Sequence, residues 1–119
     1  MYPLKFEPYL REMVWGGEKI APFKGIKTKQ HNIGESWEIS AVPGCVSVVS
    51  NGTFAGKSLT EVMNEYGPEL VGRKVFAKTG TEFPLLIKFI DAKSDLSIQV
   101  HPNDELAART HTGMKGKTE

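Results

Sequence analysis

The run LSIQVHPNDE, residues 96–105, places an amide and an imidazole two residues apart on the polar side of an otherwise apolar segment. As a strand it puts Leu96, Ile98 and Val100 on one face and Ser97, Gln99 and His101 on the other. Positions i and i+2 then lie about 6.6 Å apart, close enough for both side chains to converge on one atom. An imidazole nitrogen and an amide oxygen are suitable donors to Zn²⁺ at about 2.0–2.2 Å, and a catalytic site typically has three protein ligands and an open position. Gln99 and His101 supply two donors, so the motif needs a third. Alone, a histidine on a strand's polar side is more often solvated or hydrogen-bonded than metal-bound.

The elements that must position this pair are short. Pro102 ends the strand, and NDELAART reads as a short helix with Asn103 as its N-cap and Asp104 and Glu105 in the first turn, where negative charge suits the dipole. Upstream, FPLLIKFIDA reads as an apolar strand joined to LSIQVHP by a turn at 93–95, which predicts an antiparallel hairpin. SWEIS and CVSVVS read as further strands, the second with Val46 and Val48 alternating against Ser47 and followed by the turn pair Asn51-Gly52, a second hairpin signal. Ser58-Leu59-Thr60-Glu61 is a capping box that opens a helix running to Gly67, and Pro68 opens another helical turn ending at Gly72. Residues 1–34, rich in Pro, Gly and Lys, show no sustained period and predict an extended arm with short turns. Residues 35–119 then form a β-rich roll with short helices. The fold class predicted is mainly β, a jelly-roll or barrel with two or three short helices. It reads as incomplete, because a closed double-sheet roll needs about eight strands and only four or five are convincing.

Composition excludes several partners. Fifteen Lys and Arg against fourteen Asp and Glu are scattered, which points to no nucleic-acid surface and no membrane surface. PLLIKFI is the longest apolar stretch, far short of a membrane span, and the start lacks a basic region followed by an apolar one. The single cysteine, Cys45, forms no internal disulfide, which fits a cytoplasmic protein, and beside alternating valines with no local base it reads as a half-buried strand residue, not a nucleophile. Nothing in the residue pattern sets an oligomeric state.

LSIQVHPND resembles the signature of the type I phosphomannose isomerases, in which a Q-x-H-P-x-D segment gives a glutamine and a histidine to a catalytic zinc. GKTE at 116–119 resembles the segment carrying the family's third ligand, and VWGG at 14–17 and GESWEIS at 34–40 resemble N-terminal motifs of its bacterial members. The resemblance implies a cupin-type jelly-roll and one Zn²⁺ held by Gln99, His101 and Glu119. It also implies Lys117 near the reacting oxygens as a catalytic and substrate-binding residue, Trp15 bordering the sugar, and a sugar-phosphate substrate. The reaction implied interconverts mannose 6-phosphate and fructose 6-phosphate through an enediol. The family's fourth ligand, a histidine, and an arginine near the substrate have no counterpart before residue 119. The chain therefore reads as an N-terminal portion, with little or no turnover expected from it alone. Trp37 reads as packing, Glu38 as a strand residue or an acceptor behind the metal ligands, and His31 and His111 as loop histidines. The rival readings are a non-catalytic sugar- or metal-binding cupin module and a different metal cupin such as an oxygenase, whose iron usually brings additional histidines.

Overall fold

The computed structural model describes residues 1–110, 116 and 117. Strands β1 (Tyr9–Gly17), β2 (Ile33–Ile39) and β3 (Ile87–Ile90) form an antiparallel sheet in that order. The central strand β2 carries the GESWEIS motif, and its residues from Ile33 to Trp37 are buried. Helix α1 (Ile20–Lys24) packs against it. Residues 1–34, expected as an extended arm, thus contribute an edge strand and a helix. The strand escapes the sequence pattern because register shifts between Arg11 and Glu12 and again between Glu12 and Gly17 interrupt the period of two. Gly16 of the VWGG motif has a specific reason to be glycine: a Cβ there would lie 2.0 Å from the Asn32 carbonyl oxygen, where β1 crosses the start of β2.

The chain turns back between 47 and 59 as expected, but through isolated bridges, not a full ladder. Val49 N–H donates to Lys57 O (2.9 Å) and Leu59 N–H to Ser47 O (2.8 Å), around a 3-10 turn at Gly52–Phe54. The buried face is Ser47 and Val49, one residue out of step with the predicted Val46 and Val48. The cause is polar: the Ser47 hydroxyl accepts from Ser40 N–H at 2.9 Å, so the serine is held inward. Cys45 is half-buried in a turn closed by its N–H on Val42 O, not in a strand.

Helix α2 (Leu59–Val71) starts where the capping box predicts. Ser58 Oγ accepts from Glu61 N–H at 3.2 Å and the Glu61 carboxylate accepts from Ser58 N–H at 2.7 Å. The Ser58 hydroxyl also donates to that carboxylate at 2.7 Å, and this bond, with the one from Ser58 N–H, holds the Glu61 carboxyl below the ordinary glutamate range. Leu59, Val62 and Met63 form the buried stripe, and the helix kinks at Tyr66 (φ −135°, ψ 25°) ahead of Gly67-Pro68, because the proline cannot donate into the ladder and its ring crowds the preceding turn. Ser58→Ala is expected to cost about 1 kcal/mol, the usual loss for an N-cap, read as a lower urea midpoint with an unchanged slope. Helix α3 (Arg73–Thr79) buries no residue, so it offers no apolar periodicity to read.

The expectation of a mainly β fold is corrected to mixed content: a three-stranded sheet and four helices, α1 to α3 and α4 (Asp104–Thr110), among the described residues. The predicted hairpin between β3 and 96–101 is likewise corrected. No backbone hydrogen bond joins residues 96–100 to another described residue. The molecule measures 43 × 41 × 20 Å and its radius of gyration is 16.4 Å, against about 13.5 Å for a compact domain of this length. Among the described residues, no helix is long and apolar enough to cross a membrane.

Candidate active site

The sheet's exposed end and the 96–101 run enclose an open cleft of about 390 Å³. Trp15 enters it from β1, Glu35 from β2 and Lys88 from β3, while Gln99, His101 and Lys117 close the other side. Alternation explains the selection. Glu35 and Trp37 share one face of β2, and Lys88 lies directly across the ladder from Trp37.

Glu35 is 7% exposed and fully engaged. Lys88 Nζ donates to its Oε1 at 2.7 Å, Trp37 Nε1–H donates to its Oε2 at 2.8 Å, and an Arg11 guanidinium nitrogen lies 3.7 Å away with the group stacked over the Trp37 ring. Burial pushes this carboxyl up, but the bonds from Lys88 and Trp37 and the charges of Lys88 and Arg11 outweigh it and hold it below the ordinary glutamate range.

The 96–101 run keeps its predicted alternation from residue 97 onward without a ladder: Ser97, Gln99 and His101 face the cleft while Ile98 and Val100 face solvent, but Leu96, expected on the apolar face with them, lines the cleft as well. The Gln99 amide nitrogen donates to Ser97 Oγ at 3.1 Å, which fixes the nitrogen end and leaves the carbonyl oxygen to be presented elsewhere. The residues after His101 have separate tasks. Asn103 Oδ1 accepts from Leu106 N–H (2.9 Å) and caps α4 as expected. Pro102 O accepts from Lys117 N–H (3.2 Å) and Asp104 Oδ1 from Gly116 N–H (2.8 Å), which brings the tail back to the strand end. A Cβ on residue 116 would lie 2.4 Å from Asn103 C, so the glycine of GKTE permits this approach. Lys117 Nζ consequently sits 3.5 Å from His101 Nε2.

Gln99, His101, Lys117 and Trp15 are thus assembled at one cleft. Glu119 and His111 lie outside the described residues, whose acidic, histidine and cysteine side chains form no cluster of three. Glu38 is a structural strand residue: it pairs with Lys24 of α1 and accepts from the Ser36 hydroxyl (2.6 Å). His31 is engaged elsewhere, its ring 3.9 Å from the Glu18 carboxylate. Sequence reasoning missed the Glu35–Lys88 pair. The available signal was Lys88 itself, a lone cation within the apolar run PLLIKFI.

An amide, an imidazole and two ammonium groups facing one sheet-built cleft define a protein suited to an oxygen-rich, anionic ligand. The chain belongs to the type I phosphomannose isomerases: the model of that family's catalytic domain matches residues 4–117. Mannose-6-phosphate isomerase ManA of Bacillus subtilis is 42% identical over 118 residues, a match covering 98% of this chain and 35% of that relative. The crystal structure of the mannose 6-phosphate isomerase from Bacillus subtilis superposes with a TM-score of 0.80 at 38% identity, over 98% of this chain and 35% of the other. A zinc-bound mannose 6-phosphate isomerase superposes with a TM-score of 0.73 at 28% identity, over 89% and 27%. The chain spans about a third of the length of the curated relatives it matches.

Proposed function

We propose that this chain is the N-terminal, ligand-bearing part of a zinc-dependent isomerase with a cupin-type roll, interconverting mannose 6-phosphate and fructose 6-phosphate. The observation that carries the reading is the convergence of Gln99, His101 and Lys117 on one cleft, in a chain of this family. The donor chemistry fits zinc: the Gln99 carbonyl oxygen is the free end of an amide anchored on Ser97, His101 offers a ring nitrogen to the same cleft, and Glu119 completes the set in this reading. Bound there, the metal supplies a Lewis acid for the substrate carbonyl.

The chain's own residues do the rest. A proton leaves one of two adjacent carbons and returns to the other, and negative charge develops on oxygen in between. Lys117, held beside His101, places a cation where that charge forms and can donate a proton to it. Lys88, steadied by Glu35, presents a second cation to the cleft for the anionic substrate. Trp15 contributes an apolar wall for the sugar.

The test is metal content by elemental analysis together with a coupled assay for fructose 6-phosphate formation. It compares the 119-residue chain with the same chain joined to the rest of a relative's length. Zinc and turnover are expected in the longer protein, and little or no turnover in the shorter. A longer protein that folds and holds zinc yet forms no product overturns the reading. Lys117→Met in the longer protein is expected to lower kcat by on the order of 10²-fold, the usual worth of a positioned proton donor, with zinc content unchanged.

A further inference from the structure

The course of Gln99 and His101 is set where the chain is last held before them, because no backbone hydrogen bond joins residues 96–100 to another described residue. That place is the turn after β3. Lys93 N–H and Ser94 N–H both donate to the Trp15 carbonyl, at 2.8 and 3.4 Å, and Ala92 bridges Gly16. Trp15 also sends its ring into the cleft, over Gly34, where a Cβ would lie 2.7 Å from the ring's Cζ3 atom. One residue therefore sets both the apolar wall and the point from which the 96–101 run departs.

Asp91 ties this corner together through three groups. Its N–H donates to Gly34 O (2.9 Å), its carbonyl accepts from Gly17 N–H (2.9 Å), and its carboxylate Oδ2 accepts from Lys19 N–H (2.7 Å). The end of β3 is thereby joined to β2, to the end of β1 and to the residue before α1. The carboxylate also fills the space above Gly17: a Cβ there would have Oδ2, Cγ and Oδ1 of Asp91 as its three nearest atoms, at 2.3–2.5 Å. Asp91 lines a separate groove with Lys19 and Phe89, not the cleft. It can act on the site only through what it holds.

We infer that Asp91 is a positioning residue for the site: its carboxylate, clamped on Lys19 N–H and seated over Gly17, holds the end of β1 against the end of β3 and so places the Trp15 carbonyl that carries the turn into Gln99 and His101. The carboxylate matters because the register shift between Glu12 and Gly17 leaves no regular ladder to hold that end of β1, and an ionised acceptor makes a stronger bond to a backbone N–H than a neutral one. That Gln99 and His101 are zinc donors is taken over from the proposed function; that Asp91 places the run is not.

The test uses Asp91→Ala, Asp91→Asn, which keeps a carbonyl oxygen for Lys19 N–H, and Gly17→Ala, whose Cβ displaces the carboxylate. In the 119-residue chain the amide resonances of residues 97–101 are followed by NMR. Asp91→Ala and Gly17→Ala are expected to shift them, and Asp91→Asn to leave them near the parent's. In this chain joined to the remainder of Bacillus subtilis ManA, chelator competition should show zinc affinity lowered about 10–100-fold by Asp91→Ala, as for loss of a group behind a ligand, and less than about threefold by Asp91→Asn. Ser58→Ala, whose helix cap lines no part of the cleft, controls for lost stability and should leave zinc affinity unchanged. Gly17→Ala added to Asp91→Ala should cost less than about twofold more, because the atoms it would strike are gone. Unshifted amides in Asp91→Ala, alanine and asparagine variants that behave alike, or an equal loss of zinc in Ser58→Ala overturns the inference. If the parent fusion holds no zinc, the zinc reading falls, and the amide shifts of the short chain still decide whether Asp91 places the run. Should Asp91→Ala not fold, Gly17→Ala decides by the same shifts.

Discussion

Replacing His101 by alanine is expected to weaken zinc binding the most of any single change in the cleft. In a protein that turns over, the loss should be on the order of 10³-fold in kcat/KM, equivalent to about 4 kcal/mol of transition-state stabilisation. The size follows from what the imidazole does. It is one of the two zinc donors that the proposed ligand set draws from the described residues, and it lies 3.5 Å from the Lys117 ammonium, so alanine removes a ligand and the group beside which that cation is held. Ser97→Ala is the graded control. It takes away only the hydroxyl that anchors the Gln99 amide nitrogen, so the carbonyl donor remains but can rotate away. About 10–100-fold in zinc affinity is expected, the usual cost of losing a partner behind a ligand. Competition with a chelating dye measures both variants. A His101→Ala protein that binds zinc as tightly as the parent would remove His101 from the ligand set, and the isomerase reading would lose its chemical centre.

How much of this was legible in the sequence depended on distance along the chain. Ser58 with Glu61, and Asn103 with the amide of Leu106, are partnerships within three residues, so residue types alone disclosed them. The kink before Pro68 is of the same kind, a consequence of one ring and one missing N–H. The face assignment of 97, 99 and 101 was legible too, because extended backbone alternates whether or not it is laddered. The ladder was not, because pairing needs a neighbour that the apolar pattern of 96–100 does not name. Glu35 and Lys88 lie 53 residues apart, and nothing near either one announces the other. The strand in 9–17 was hidden by its own irregularity: residues that bulge out of register bring Met13 and Trp15 to the cleft and spoil the alternation by which a strand is read.

Glu35→Ala is expected to destabilise the fold by about 3 kcal/mol, because breaking a buried pair by removing one partner leaves the other uncompensated. Here the partners left behind are the Lys88 ammonium, whose side chain is 26% exposed, and the indole N–H of Trp37, a residue 7% exposed. Partial exposure of Lys88 lets it recover some hydration, which sets the figure at the low end for such pairs. Acidification should act in the same direction. The Glu35 carboxyl titrates below its unfolded value in the folded protein, since its lysine, indole and arginine neighbours outweigh the burial that opposes them. A depressed carboxylate stabilises fully above its unfolded value and loses that contribution as pH falls through its folded value. Urea denaturation from neutral pH downward should therefore show the parent losing stability below the ordinary glutamate range. Glu35→Gln, which has no carboxyl to protonate, should lack that component and start lower at neutral pH. Equal slopes for parent and Glu35→Gln would mean that the carboxylate is not the acid-sensitive link between β2 and β3. The same link orients a cation toward the cleft, so a protein that tolerates Glu35→Gln in stability should still lose sugar-phosphate affinity through a misplaced Lys88.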